Sequence, residues 1–221
     1  ADLEVNQVMV SEDFRAVDNP VPNLGITSSA FWVRMDIEND TRENEVILDL
    51  EHAEIETVDL YILENGKAIR IASTGQSRPI STHSIAQPEF AFSLPIHSGD
   101  NATVLFRLAS SKQLQVPLKV YTSIGFAQAI SVKNLSIGIY IGIMVALALY
   151  NFFIYFSIKD KTYIIYVLYI LLITLAQISF WGVFQFYISP MYPLISVKAS
   201  IILTFASAIA ASEFMKRFID T

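Results

Sequence analysis

Cysteine is missing from all 221 residues. Its absence excludes disulfides, zinc–thiolate centres and thiol nucleophiles, and it selects neither an oxidising nor a reducing compartment. Charge is also scarce: 16% of residues are charged, against about 25% in an ordinary soluble domain. Basic residues are fewer than acidic ones, 15 against 21. That balance argues against a nucleic-acid partner, which needs clustered Lys and Arg to neutralise phosphates. The three histidines, His52, His83 and His97, are far apart and form no His-x-x-x-His pair. There is no Gly-x-Ser-x-Gly, no phosphate-binding glycine loop and no metalloprotease helix. The residues present therefore give no catalytic, metal or cofactor assignment.

The shortage of charge is local. Residues 135–158 contain no Asp, Glu, Lys, Arg or His. A helix of that length is roughly 36 Å long, and a bilayer's hydrocarbon core is about 30 Å thick. We read a first membrane span there, a second over about 162–184 and a third over about 194–214. Before residue 131 there are 18 acidic and 9 basic side chains; after it there are 3 and 6. Lys159 and Lys161 in the first turn, with Lys216 and Arg217 at the far end, share one side, against Lys198 on the other. Short cytoplasmic loops are enriched in Lys and Arg. Residues 159–161 and the C-terminus are therefore expected in the cytoplasm, with the acidic N-terminal part outside. Lys133 counts against this topology. The opening Ala1-Asp2-Leu3 suits a chain whose leader has been removed, and three spans suggest a fragment of a longer bundle.

Residues 1–122 read as an all-β domain. Phe31, Val33, Met35 and Ile37 alternate with Trp32, Arg34, Asp36 and Glu38, the period of a half-buried strand. The same alternation recurs at 46–51 and 57–62. Asn65-Gly66 marks a hairpin turn. Further strands are expected at 68–73, 89–94, 102–109 and 114–122, with a long loop at 74–88. Many short strands at such spacing imply a jelly-roll-like sandwich or a barrel. Residues 123–134 form a connector without the Gly, Ser or Pro of a slack tether. Phe126, Ala127, Ile130 and Leu135 have helical spacing there.

Several stretches together resemble one family. They are Leu24-Gly25-Ile26-Thr27-Ser28-Ser29-Ala30-Phe31-Trp32-Val33-Arg34, Val58-Asp59-Leu60-Tyr61 and Leu114-Gln115-Val116-Pro117-Leu118 in the first part. In the spans they are Gly138-Ile139-Tyr140-Ile141-Gly142, Ala146-Leu147-Ala148-Leu149-Tyr150-Asn151, Lys159-Asp160-Lys161-Thr162-Tyr163 and Tyr166-Val167-Leu168-Tyr169. The chain resembles the bacterial seven-transmembrane receptors with diverse intracellular signalling modules, and its first part resembles their type 2 extracellular sensor. The resemblance implies a periplasmic jelly-roll-like domain, often taken to bind carbohydrate, on a seven-helix bundle. It also implies a cytoplasmic output module such as a diguanylate cyclase or a histidine kinase. No catalytic residue carries over.

The expected architecture is thus a periplasmic β-sandwich followed by three of seven transmembrane helices. Trp32 and Arg34, beside each other on the non-core face of their strand, suit a sugar or an anionic small molecule. Arg78 and His83 in the long loop would form a lid, and Tyr61 and Arg107 would join from neighbouring strands. Asp36, Glu38 and Asp40 alternate on one strand but match no Ca²⁺ loop, and a solvated acidic face is the simpler account. Gly138, Gly142 and Ala146 recur every fourth residue, the spacing of close helix contact, and Asn151 and Gln177 need polar partners inside lipid. Expected partners are the lipid bilayer, a saccharide or other small molecule, and a second copy of the chain. The rival reading is a periplasmic protein–protein module on a membrane anchor.

Overall fold

The computed structural model describes residues 4–219 except 12, 18, 28 and 65. Residues 1–3, Ser28 and Asn65, named above, lie outside the described residues, as do 220 and 221. After a short helix α1 (Val5–Met9), seven strands follow: β1 (Phe31–Glu38), β2 (Val46–Leu50), β3 (Thr57–Glu64), β4 (Lys67–Thr74), β5 (Phe90–Leu94), β6 (Asn101–Ala109) and β7 (Leu118–Tyr121). Three long helices follow among the described residues: α2 (Ser123–Ile158), α3 (Lys161–Phe180) and α4 (Pro193–Ile219).

The strands form two antiparallel sheets, ordered β1-β6-β3-β4 and β5-β2-β7. Pairs β1·β6, β2·β5 and β3·β4 nest one inside another in sequence. The alternation explains the core. Ile37, Val58, Leu60, Val104, Phe106 and Leu108 face inward from one sheet, and Leu48, Leu50, Phe90, Phe92 and Leu94 from the other. Phe92 and Phe106 meet edge-on across the gap, ring centres 5.9 Å apart. Burying each such side chain contributes about 1.5–3 kcal/mol.

The last strand and the long loop differ most from expectation. The last strand begins at Leu118, because Pro117 has no N–H to give a ladder. Leu114 and Val116 still enter the core, and their N–H groups bond the carbonyls of Gly25 and Pro22. The long loop contains a 3-10 turn at Ile80–Thr82. It leaves β4 through Gly75, at φ +139°, where a Cβ would sit 2.2 Å from the Glu56 carbonyl oxygen; only glycine fits.

Three helices among the described residues are long and apolar enough to cross a membrane. Helix α2 starts directly after β7: Thr122 caps it, its hydroxyl accepting from Gly125 N at 3.1 Å. Residues 123–134 are therefore the first turns of one unbroken helix of 36 residues, about 54 Å long. Lys159, in the left-handed conformation, ends it, and Asp160 caps α3 through Thr162 N at 2.8 Å. Helix α3 stops at Phe180, short of residue 184, because Gly182 turns the chain at φ +73°. A π-helical turn, Phe184–Ile188, leads to α4, which runs through to Ile219.

The helices pack in order, α2 on α3 and α3 on α4. Met144 and Ala148 of α2 meet Tyr166, Val167 and Ile170 of α3. Farther along, α3 buries Thr174, Ala176, Ile178 and Ser179, and the buried residues of α4 are all small: Ser196, Ala199, Ser200, Ser207 and Ala210. Tyr166 and Phe214 stack at 4.8 Å near the turn end. The Gly138, Gly142 and Ala146 stripe lies on the exposed side of α2, and a Cβ at either glycine would meet nothing within 4 Å. Asn151 is buried but donates to the Leu147 carbonyl of its own helix at 2.8 Å, so it makes no bond between helices. Gln177 is half-buried, and no side-chain hydrogen bond links it to another described residue.

Candidate functional site

The outer face of the four-stranded sheet gathers most of the expected ligand residues. Register places Trp32, Arg107, Asp59 and Ser73 in one cross-strand row, and Arg34, Leu105, Tyr61 and Arg70 in the next. The Trp32 and Tyr61 rings lie 5.7 Å apart at 38°. Leu105, on the strand between them, is 1% exposed although it faces away from the core. Asp59, 7% exposed, organises the row. It accepts from Ser73 Oγ at 2.6 Å and from Arg78 Nη1 at 2.9 Å, and Arg107 Nη1 lies 3.9 Å away.

Arg78 is thus a latch rather than a lid, since it also donates to the Thr74 carbonyl at 2.9 Å. Among the described residues Arg34 pairs with Asp36, at 4.0 Å. His83 is not on this face. Its ring stacks on Phe90 at 5.0 Å, and its Nδ1 lies 2.9 Å from the Gln87 carbonyl oxygen. Burial pushes its pKa down. Helix α1 packs on β4, with Val8 buried, and the segment after it runs beside Trp32. Val8, Asp13 and Phe14 face Phe31 and Trp32 across a cleft of about 200 Å³. With Arg78 and Arg107 committed to Asp59, what this face offers a newcomer is aromatic surface, the Arg34 guanidinium and the Asp13 carboxylate. A ring carrying hydroxyl groups matches that combination.

The second sheet has a different outer face, which strand alternation alone does not mark. Ile47 and Ala91 are covered by Phe126 of α2, with Ile85, Tyr121 and Ile130 around them. Tyr121 and Phe126 lie 6.0 Å apart. Beside this apolar patch Lys133 of α2 pairs with Glu89, Lys119 pairs with Glu51 at 2.7 Å, and Gln87 Nε2 donates to Asp49 at 3.4 Å. Asp49 is 3% exposed. Burial, then the Glu89 and Glu51 charges, push its pKa up to about 6. Burial also raises Glu89, against the pull of Lys133. Glu51, Glu89, Lys119, Gln128, Lys133 and Trp181 line an open cleft of about 740 Å³ where the β domain meets the helices.

A second contact ties the β domain to α4 and the turn before it. Lys112 Nζ reaches Glu54 Oε1 at 2.7 Å, Gln76 Oε1 at 3.1 Å and Ser200 Oγ at 3.2 Å; Ser200 in turn donates to Glu54 at 2.7 Å. Gln185 Nε2 donates to the Gln76 and Arg78 carbonyls at 3.1 and 3.0 Å. Gly182 sits so close that a Cβ would lie 2.6 Å from the Pro88 oxygen and 2.7 Å from Ala53 Cβ. The one available signal for these contacts was an excess of polar residues, Gln185, Ser196 and Ser200, around the connection between the second and third spans.

Two family models match the chain. The model described as 7TMR-DISM extracellular 2 covers residues 1–122. The model described as 7TM diverse intracellular signalling covers residues 133–221. No curated protein matches it.

Proposed function

Because the chain belongs to the seven-transmembrane receptors with diverse intracellular signalling modules, we propose that it is the ligand-sensing part of a bacterial receptor whose α2 carries the signal inward. Its extracellular domain and membrane region are those of a signalling receptor. The observation that carries the proposal is the continuity of α2. Its first turns are clamped to the sensor sheet through Phe126 and the Lys133–Glu89 pair, and the same helix becomes a span with no break. A change in the sheet reaches the membrane without passing a slack joint.

The ligand in this reading is a saccharide or similar small molecule on the Trp32, Tyr61 and Arg34 face, with Arg107 and Arg78 holding the face in shape through Asp59. It shifts the receptor only through differential affinity for two conformations. The output belongs to a cytoplasmic module such as a diguanylate cyclase or a histidine kinase. The sensor domain lies in the periplasm and residues 159–161 in the cytoplasm, supported by Lys159 and Lys161 in the turn and Lys216 and Arg217 at the end of α4. Lys133 fits that placement, because Glu89 neutralises it. The bare Gly138, Gly142 and Ala146 stripe is the side of α2 on which further helices of the bundle, or a second copy, would pack.

Isothermal titration of the chain in lipid nanodiscs against glycans and small metabolites tests the ligand. One binder whose heat disappears in Trp32→Ala supports the proposal. Silence across the panel, together with co-purification of a periplasmic protein, favours the protein-partner alternative.

A further inference from the structure

Charge is unbalanced where β2 meets α2. Three carboxylates converge there: Asp49 on β2, Glu51 just after it and Glu89 just before β5. Two ammonium groups face them, Lys119 from β7 and Lys133 from α2. Lys119 is taken by Glu51 at 2.7 Å and Lys133 by Glu89. Asp49 is left with one amide, Gln87 Nε2 at 3.4 Å, and no cation of its own among the described residues. It is also nearly sealed from water, on the sheet face whose Ile47 and Ala91 are covered by Phe126 of α2. An ionised carboxylate in that position lacks hydration and a partner, whereas a protonated one fits.

We propose that Asp49 is a proton-binding site whose occupancy sets how tightly the β domain docks on α2. Acid favours the docked arrangement, and neutral or alkaline conditions loosen it. The sign follows from the burial. The docked state raises the Asp49 pKa from 3.8 to about 6. Stabilisation of docking is therefore complete below the ordinary carboxylate value and is lost as pH rises through about 6. A displacement of that size changes the docked-to-undocked ratio by up to about 100-fold. Glu89, also raised by burial, acts in the same direction. His83, on the loop that supplies Gln87, is lowered by burial and acts in the opposite one. His52, beside Glu54 and Lys112 at the α4 contact, opposes as well. The effect on signalling rests on α2 as the transmitting element; the effect on docking does not.

The test is a distance measurement on the junction itself, independent of any ligand or output. The chain has no cysteine, so spin labels go on Lys67→Cys at the far tip of the β domain and Ser157→Cys near the end of α2. In nanodiscs we expect one narrow distance at about pH 5 and a second, broader population at about pH 8, with a midpoint near 6. Asp49→Asn, a neutral isostere, holds the narrow distance at both pH values. If Asp49→Asn does not fold, Lys133→Met serves instead: removing the Lys133 charge, which lowers the Asp49 pKa, moves the midpoint upward. A parent distribution that does not change with pH, an Asp49→Asn variant that titrates like the parent, or an unmoved midpoint in Lys133→Met overturns the proposal.

Discussion

Asp59 carries more of the candidate ligand face than any residue that would touch the ligand. Ser73, Arg78 and Arg107 all address it, from β4, the long loop and β6. Asp59→Ala removes the carboxylate that Arg78 and Arg107 share. Both are about a third exposed, so water offsets part of the loss, and the expected destabilisation is about 1–3 kcal/mol. Urea titration of the chain in detergent measures it. Trp32→Ala, by contrast, is expected to leave stability nearly unchanged and to remove ligand heat. Strand alternation already placed Trp32 and Arg34 together, since period two fixes the face. It did not separate Asp59 from the ten other carboxylates between Asp36 and Glu64, because only cross-strand register brings Arg107 opposite. His83 was misplaced for a related reason: alternation says nothing about where a loop travels.

The strands were legible almost to the residue, and the helices less so at their outer ends. β2 is buried on both faces because its outer side meets α2, and sequence alternation cannot reveal a covering helix. The helix contacts were missed more fully. The repeat at Gly138, Gly142 and Ala146 points away from α3, while the small residues that are buried lie elsewhere, Thr174 and Ala176 on α3 and Ser207 and Ala210 on α4. Small polar residues in a span read as plain composition until a neighbour is known. Two outcomes follow for the chain in nanodiscs. Ser207→Leu forces α3 and α4 apart and lowers the thermal midpoint by several degrees, whereas Gly142→Leu, with nothing within 4 Å, leaves it within error. Phe92→Ala in the sandwich core costs about 3–5 kcal/mol, through lost burial and the cavity left against Phe106.

At the scale of the molecule, two contacts hold the sensor to the membrane helices. One is the apolar and ionic face on α2; the other is the Lys112–Glu54–Ser200 knot with the Gly182 approach. The second gives a direct prediction. Gly182→Val cannot keep φ +73° or clear the Pro88 oxygen, so hydrogen exchange at 76–80 and 185–190 rises while the sandwich core stays protected. The central claim is that α2 transmits as one rigid rod. Alanine insertions between Asn134 and Leu135, in a receptor carrying this chain, test it most directly. Each insertion turns the helix by about 100°. The account predicts output that is lost with one or two alanines and returns in part with four. A steady decline, or indifference to every insertion, would contradict it.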